Sequence, residues 1–369
     1  MDKSFKIMYK TAVILIAVIS AVLLSAIVLW MIGADVSAAF YNICIVPLTR
    51  FGHIQEVLMR AIPLCIVALG VSIAYRSGII NIGGEGQMAI GVLAFTAVAL
   101  GLEGVPKFVH LPLALLAAVI GGALWGFIPG ILKAKLKVSE LLSTVMLNYI
   151  AAQLYSLCLR TIFMDPAEKF GGTGSPMSKR LADSVYLSRF GNTTVHTGLI
   201  IALVLAAFVW ILMWKTTTGY KMRAAGSGAR AARYGGINVP FYVAIAITIS
   251  GAFAGLAGAV ELSGYHHRAI EGVTNGYGFA GVVVALFGGL HPLGIIPASF
   301  FFGLMKYGVT RAASVLRVPA NMVDVIQGIT ILVIVTAQMI LSNNYLEDRI
   351  YRKLKKARKN PLLDKAGAK

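Results

Sequence analysis

About ten times along this chain, roughly 20 residues pass with almost no charge, the length a helix needs to cross the hydrocarbon of a bilayer. The runs fall near 11–32, 57–75, 79–101, 111–132, 141–163, 197–214, 241–262, 278–290, 294–310 and 320–341. Of the 369 residues, 58% are hydrophobic and 13% charged, against about 45–50% and 25% in soluble domains. Mean hydropathy is +0.79. So few charges cannot cover a soluble surface. The expectation is an all-α polytopic membrane protein of about ten transmembrane helices, which excludes a soluble enzyme, a disordered chain or a secreted disulfide scaffold. The first run follows Lys3, Lys6 and Lys10, as a signal peptide would, but it exceeds the usual apolar core of about 7–15 residues and reads as a retained span.

The net charge of +18 becomes a topological signal. With the N-terminus inside, about 21 Lys and Arg fall on cytoplasmic segments, about 9 on outer ones and about 3 within spans. The chain then divides into a cytoplasmic N-terminus (1–10), a transmembrane domain (11–341) and a basic cytoplasmic tail (342–369). This asymmetry accounts for the charge without nucleic acid. The tail can anchor at the membrane surface or bind anionic lipid. Two connectors are long: an outer loop at 164–196, rich in Gly and Pro, and a basic, Ala-rich inner loop at 215–240. Loops of that size are commonly functional. Cys44, Cys65 and Cys158 lie far apart and suggest neither a disulfide framework nor a metal site.

Two spans depart from plain apolar helix. The third opens with Asn81-Ile82-Gly83-Gly84-Glu85-Gly86-Gln87, and the eighth follows Gly272-Val273-Thr274-Asn275-Gly276-Tyr277-Gly278. Each is the third span of its five. With five spans per half, the two halves run in opposite directions, and paired Gly-interrupted segments in inverted halves point to a transport site. Asn81, Glu85 and Gln87 would then border a wet path. Equally, Glu85 could satisfy backbone freed by a break, since polar groups at membrane depth need partners of some kind. Ser143, Thr144 and Asn148 on the fifth span can line such a path or bond between helices. Gly251-xxx-Gly255 and Ala254-xxx-Gly258 make a small-residue ridge for close helix packing. Lys306 and Asp324 flank a turn near Val315 at similar depth and are expected to form a structural ion pair. No Walker-type phosphate loop, HExxH or CxxC occurs, and no metal site or cofactor is expected. His266 and His267 are sequence neighbours that face apart on a helix.

The inner loop carries Arg223-Ala224-Ala225-Gly226-Ser227-Gly228-Ala229-Arg230-Ala231-Ala232-Arg233-Tyr234-Gly235-Gly236-Ile237-Asn238. This stretch resembles the ATPase-facing coupling segment of bacterial ABC importer permeases of the ribose/branched-chain-amino-acid type, in their nucleoside (simple-sugar) branch. The segment from Asn81 to Gln87, Ser143-Thr144-Val145-Met146-Leu147-Asn148-Tyr149-Ile150, and the stretch from Ser250 to Glu261 resemble further motifs of that branch, in the same order. The resemblance covers about two thirds of the chain and leaves the first span and the 164–196 loop aside. It implies a permease subunit, not an enzyme, in the bacterial inner membrane with both termini cytoplasmic. It also implies a cytoplasmic ABC ATPase that binds the ATP, a second permease subunit paired with this longer one, and an extracytoplasmic substrate-binding protein that delivers a nucleoside or sugar. Arg223, Ala225, Gly226, Ala231, Ala232, Gly236 and Ile237 would meet the ATPase, on a helix over 222–237 moving as a rigid body. Without the resemblance, a basic amphipathic loop resting on lipid accounts for the same residues. Gly228 departs from the Asn frequent in relatives, and Gly235 is a smaller variation. An ion-coupled secondary transporter is the alternative: it would also use broken helices and Glu85, with no ATPase.

Overall fold

The computed structural model describes residues 3–31, 33, 35–102, 104–167 and 176–316, with scattered positions between 325 and 340. Helix α1 spans Lys3–Met31, and α2 spans Val36–Thr49 with a π-helical middle at Tyr41–Ile45. Then come α3 (Phe51–Arg76), α4 (Gly84–Gly101), α5 (Lys107–Leu136), α6 (Glu140–Thr161) and α7 (Gly198–Lys215). Two short polar helices follow, α8 (Thr217–Ser227) and α9 (Ala229–Tyr234). The chain continues with α10 (Val239–Glu261), which runs on as a π-helix over Leu262–His266, α11 (Tyr277–Phe287) and α12 (Pro292–Leu316). Among the described residues there are no strands, only three isolated bridges in the loops. Eight of these helices are long and apolar enough to cross a membrane, while α2 and α11 are apolar but shorter.

The expected spans correspond to these helices, with instructive differences. The third begins at Gly84 instead of 79, because residues 79–83 run non-helically into it. The eighth shrinks to the 11 residues of α11. Helix α2 has no counterpart among the expected spans, since its 14 residues fall short of the spanning length. The tenth span (320–341) lies almost wholly outside the described residues.

The chain forms a large unit, Tyr41–Arg311, and a smaller one from its two ends, of which α1 is the main described part. The larger unit holds every described site residue considered below. At its centre α10 packs against α5, α3 and α4. The reason is local: lipid supplies no hydrophobic force between helices, so association relies on close packing of small residues. A side chain at Gly251 would fall on the Gly122 carbonyl, one at Gly255 on the Ala118 carbonyl, and one at Gly91 on the Gly255 backbone. On the opposite face of α5, Leu113, Leu116, Ile120, Leu124 and Phe127 are exposed, as an apolar solvent permits.

Helix ends follow ordinary capping chemistry. Thr216 Oγ1 accepts the Gly219 amide before α8, and Asn238 Oδ1 accepts the Phe241 amide before α10. Lys133 and Lys135 lie in the last turn of α5, and Lys137 closes it in the left-handed conformation. At the other end of the bundle the 176–197 loop is tied down by backbone bonds from Ser178 to Ala269, Leu181 to His267 and Leu187 to Ser263. His196 is buried there and its Nδ1 accepts the Gly198 amide at 3.0 Å. Burial pushes this imidazole down to about 4, with nearby Arg189 adding to the effect, so it remains the neutral acceptor the bond requires.

Candidate functional site

Between α3 and α4 the chain leaves helical conformation at Ser77 and re-enters it at Gly84. The backbone groups released by the break need partners inside the bundle, and side chains of the same motif supply several. Asn81 is fully buried. Its Nδ2 donates to Gln87 Oε1 at 2.9 Å and to Ser250 Oγ at 2.8 Å, and its Oδ1 accepts the Gly83 amide at 2.9 Å. Asn148, on α6, accepts the Gly86 amide through Oδ1 at 2.9 Å and donates through Nδ2 to the Ile82 carbonyl at 3.0 Å. Three helices, α4, α6 and α10, are thereby fastened to one irregular segment.

Glu85 reaches across to the matching break of the second half. Its two carboxylate oxygens accept the amides of Gly276 at 3.0 Å and Gly278 at 2.8 Å, capping the N-terminus of α11, where anionic charge is favoured. The two glycine segments touch: a side chain at Gly278 would fall on the Glu85 amide, and one at Gly84 would lie 3.2 Å from the Gly278 carbonyl oxygen.

Beside this junction lies a cleft of about 220 Å³, walled by Glu85, Gly86, Asn148, Gln153, Ser156 and the 271–274 loop. Its exposed end carries an ion pair, Arg160 to Glu271 at 2.8 Å, with Ser156 Oγ also donating to Glu271 at 2.8 Å. The Ser156 hydroxyl and the Arg160 guanidinium hold the Glu271 carboxyl below the usual carboxylate range. Ser156, Glu271 and Thr274 lie outside the candidates that the sequence offers. The signal available for the last two was the glycine-rich stretch that contains Thr274 and follows Glu271.

At the basic end of the bundle, α8 rests on the corner that precedes the break. A side chain at Gly226 would fall on the Arg76 carbonyl and lie 2.6 Å from the Gly78 nitrogen. Arg76 donates to the Leu290 carbonyl at 2.6 Å, and its guanidinium lies 4.6 Å from the Trp214 ring centroid. The corner therefore gathers the approach to the first break, the turn between α11 and α12, and α8. Ala225 and Ala232 are buried with Val239, and Ile237 packs on them. Arg223 is half-buried, while Arg230, Ala231, Arg233, Tyr234 and Gly236 are exposed.

The family model for the permease component of branched-chain amino acid transport systems matches residues 53–335. The chain belongs to this family. Such permeases are membrane transport subunits and not enzymes. Three relatives are similar over most of their length. The guanosine ABC transporter permease NupP of Bacillus subtilis is 34% identical over 88% of this chain and 93% of its own. The glucose ABC transporter permease TsgB13 of Haloferax volcanii is 32% identical over 88% and 86%. The nucleoside ABC transporter permease NupB of Lactococcus lactis is 32% identical over 81% and 84%.

Within the permease, the residues expected along a path separate into three groups. Asn81 and Gln87 are bound to each other, and Asn81 also to Ser250. Glu85 and Asn148 border the cleft. The Ser143 and Thr144 hydroxyls donate to carbonyls of their own helix turn, including Glu140. One expectation is corrected: residues 222–237 are not a single rigid helix. Gly228, extended at φ −171 and ψ 88, ends α8 and starts α9. A glycine loses more freedom than any other residue on entering a helix, so the break falls there at least cost. The Lys306–Asp324 pair lies outside the described residues through Asp324. Lys306 itself donates to the Asn275 carbonyl and lies 4.4 Å from the Tyr277 ring centroid.

Proposed function

We propose that this permease forms one half of the path for a nucleoside or related sugar-containing solute, driven by an ABC ATPase docked on α8 and α9. The observation that carries the reading is the contact of Gly226 with the Arg76–Gly78 corner, one short step in sequence from the Asn81 junction. A push on α8 is delivered to the backbone of the first break and, through Arg76 and Leu290, to the turn after α11. The exposed Arg230, Arg233 and Tyr234 offer cations and an aromatic ring to the ATPase. The basic end is then cytoplasmic, as are both termini, and the membrane is the bacterial inner membrane. The second permease lies along the outward face of α6, where Tyr149, Gln153 and Arg160 make a polar stripe unsuited to lipid. A binding protein delivers solute at the end carrying the 176–197 loop. The nucleoside and sugar names of the relatives support a neutral solute, and the two carboxylates at the cleft are already engaged, Glu85 by the Gly276 and Gly278 amides and Glu271 by Ser156 and Arg160.

Purification of the tagged chain in mild detergent tests the assembly. An ATPase and a second permease should accompany it, and labelled guanosine or a competing nucleoside should bind the partner receptor. Recovery of the chain alone, with full uptake activity, overturns the reading.

A further inference from the structure

The carbonyl that Lys306 engages and the amide that Glu85 Oε1 engages belong to one peptide group, the bond between Asn275 and Gly276. We propose that Lys306 is a positioning residue for the cleft: its ammonium and the Glu85 carboxylate form an ion pair relayed through this single peptide, which holds the 271–276 loop against α4. The cation meets the peptide oxygen and the anion meets its N–H, so both charges act along the peptide dipole in the same sense, and each hydrogen bond polarises the group for the other. The turn needs holding. Asn275 and Gly276 are consecutive left-handed residues, at φ 44 and φ 70, and a non-glycine residue pays for that conformation. Lys306 is 6% exposed, so its bond to the Asn275 carbonyl is largely shielded from water. The arrangement joins three elements: the break before α4, the break before α11, and α12.

The relay differs from a direct ion pair in one testable respect. A direct pair tolerates exchange of its two charges. Here the intervening peptide has fixed polarity, and exchange would set an ammonium against an N–H and a carboxylate against a carbonyl.

The experiment measures labelling of Thr274→Cys by a membrane-impermeant maleimide, in the full complex with Cys44, Cys65 and Cys158 replaced, alongside yield, melting temperature and uptake. Glu85→Gln and Lys306→Met should each raise the labelling rate roughly tenfold, the scale of losing one hydrogen bond to a charged group. The double neutral variant should be no worse than the poorer single one, Lys306→Arg should stay near the parent, and Glu85→Lys with Lys306→Glu should not recover. If a single variant fails to accumulate, the double neutral variant should restore its yield. Multiplicative effects in the double variant, or recovery on charge exchange, would overturn the relay. Uptake as a readout rests on the permease reading, whereas labelling and melting do not, so failure of one is distinguishable from failure of the other.

Discussion

Leucine in place of Gly226 abolishes solute uptake while leaving the protein inserted and assembled. The Cβ alone would lie 2.3 Å from the Arg76 carbonyl oxygen and 2.7 Å from the Ser77 carbonyl carbon. These are backbone atoms and cannot rotate aside, so α8 must lift from the corner. Nothing in the central packing of α10 on α5 depends on that contact, which is why folding survives. ATP hydrolysis in the complex should lose its stimulation by solute-loaded receptor, and uptake should fall at least about tenfold, as expected when a conformational step is disconnected from its drive. Gly235→Ala is the matched control. Its φ of −78 is open to any residue, and its Cβ would meet nothing nearer than the Ala232 carbonyl oxygen, at 3.5 Å. Unchanged uptake in Gly226→Leu would remove α8 from the transmission.

Leucine at Gly255 acts at the other extreme and prevents folding. The side chain would fall on the Ala118 carbonyl and lie 3.1 Å from the Gly122 α-carbon, and the Gly91 side of α4 closes on the same glycine. Three backbones meet there. Overpacking a close-packed interior typically costs about 1–3 kcal/mol, and separating α10 from two neighbours forfeits further contacts along both helices. The expected result is no monodisperse protein after extraction, against normal recovery of Gly101→Ala, whose Cβ would have nothing within 4 Å. Wild-type recovery and melting for Gly255→Leu would refute the central packing.

What the sequence discloses, and what it does not, follows from the range of the interactions. Spans such as α5 and α7 are legible because each buries or exposes its own run of apolar residues in a uniform solvent. The ridge at Gly251, Gly255 and Gly258 is legible because small-residue spacing is a local pattern. The existence of two breaks is legible in their glycines, and the short α2 is hidden by the length rule itself. Partners are harder. Glu85 could have faced water or backbone, and the choice is made by Gly276 and Gly278, residues 191 and 193 positions away. Ser250 completes the Asn81 junction from 169 positions away. The break at Gly228 is a competition between an Ala-rich stretch that favours helix and one glycine that does not, and the buried Ala225 and Ala232 anchor the two pieces separately.

The central claim is that this permease carries no engine and receives its work through α8. Proteoliposomes containing the chain with the second permease proposed above, with and without the ATPase, measure this directly, using receptor-delivered nucleoside and imposed ion gradients. The account predicts accumulation against the solute gradient only with the ATPase and ATP present, and none driven by proton or sodium gradients. Uphill uptake by the permeases alone, powered by an ion gradient, would contradict it.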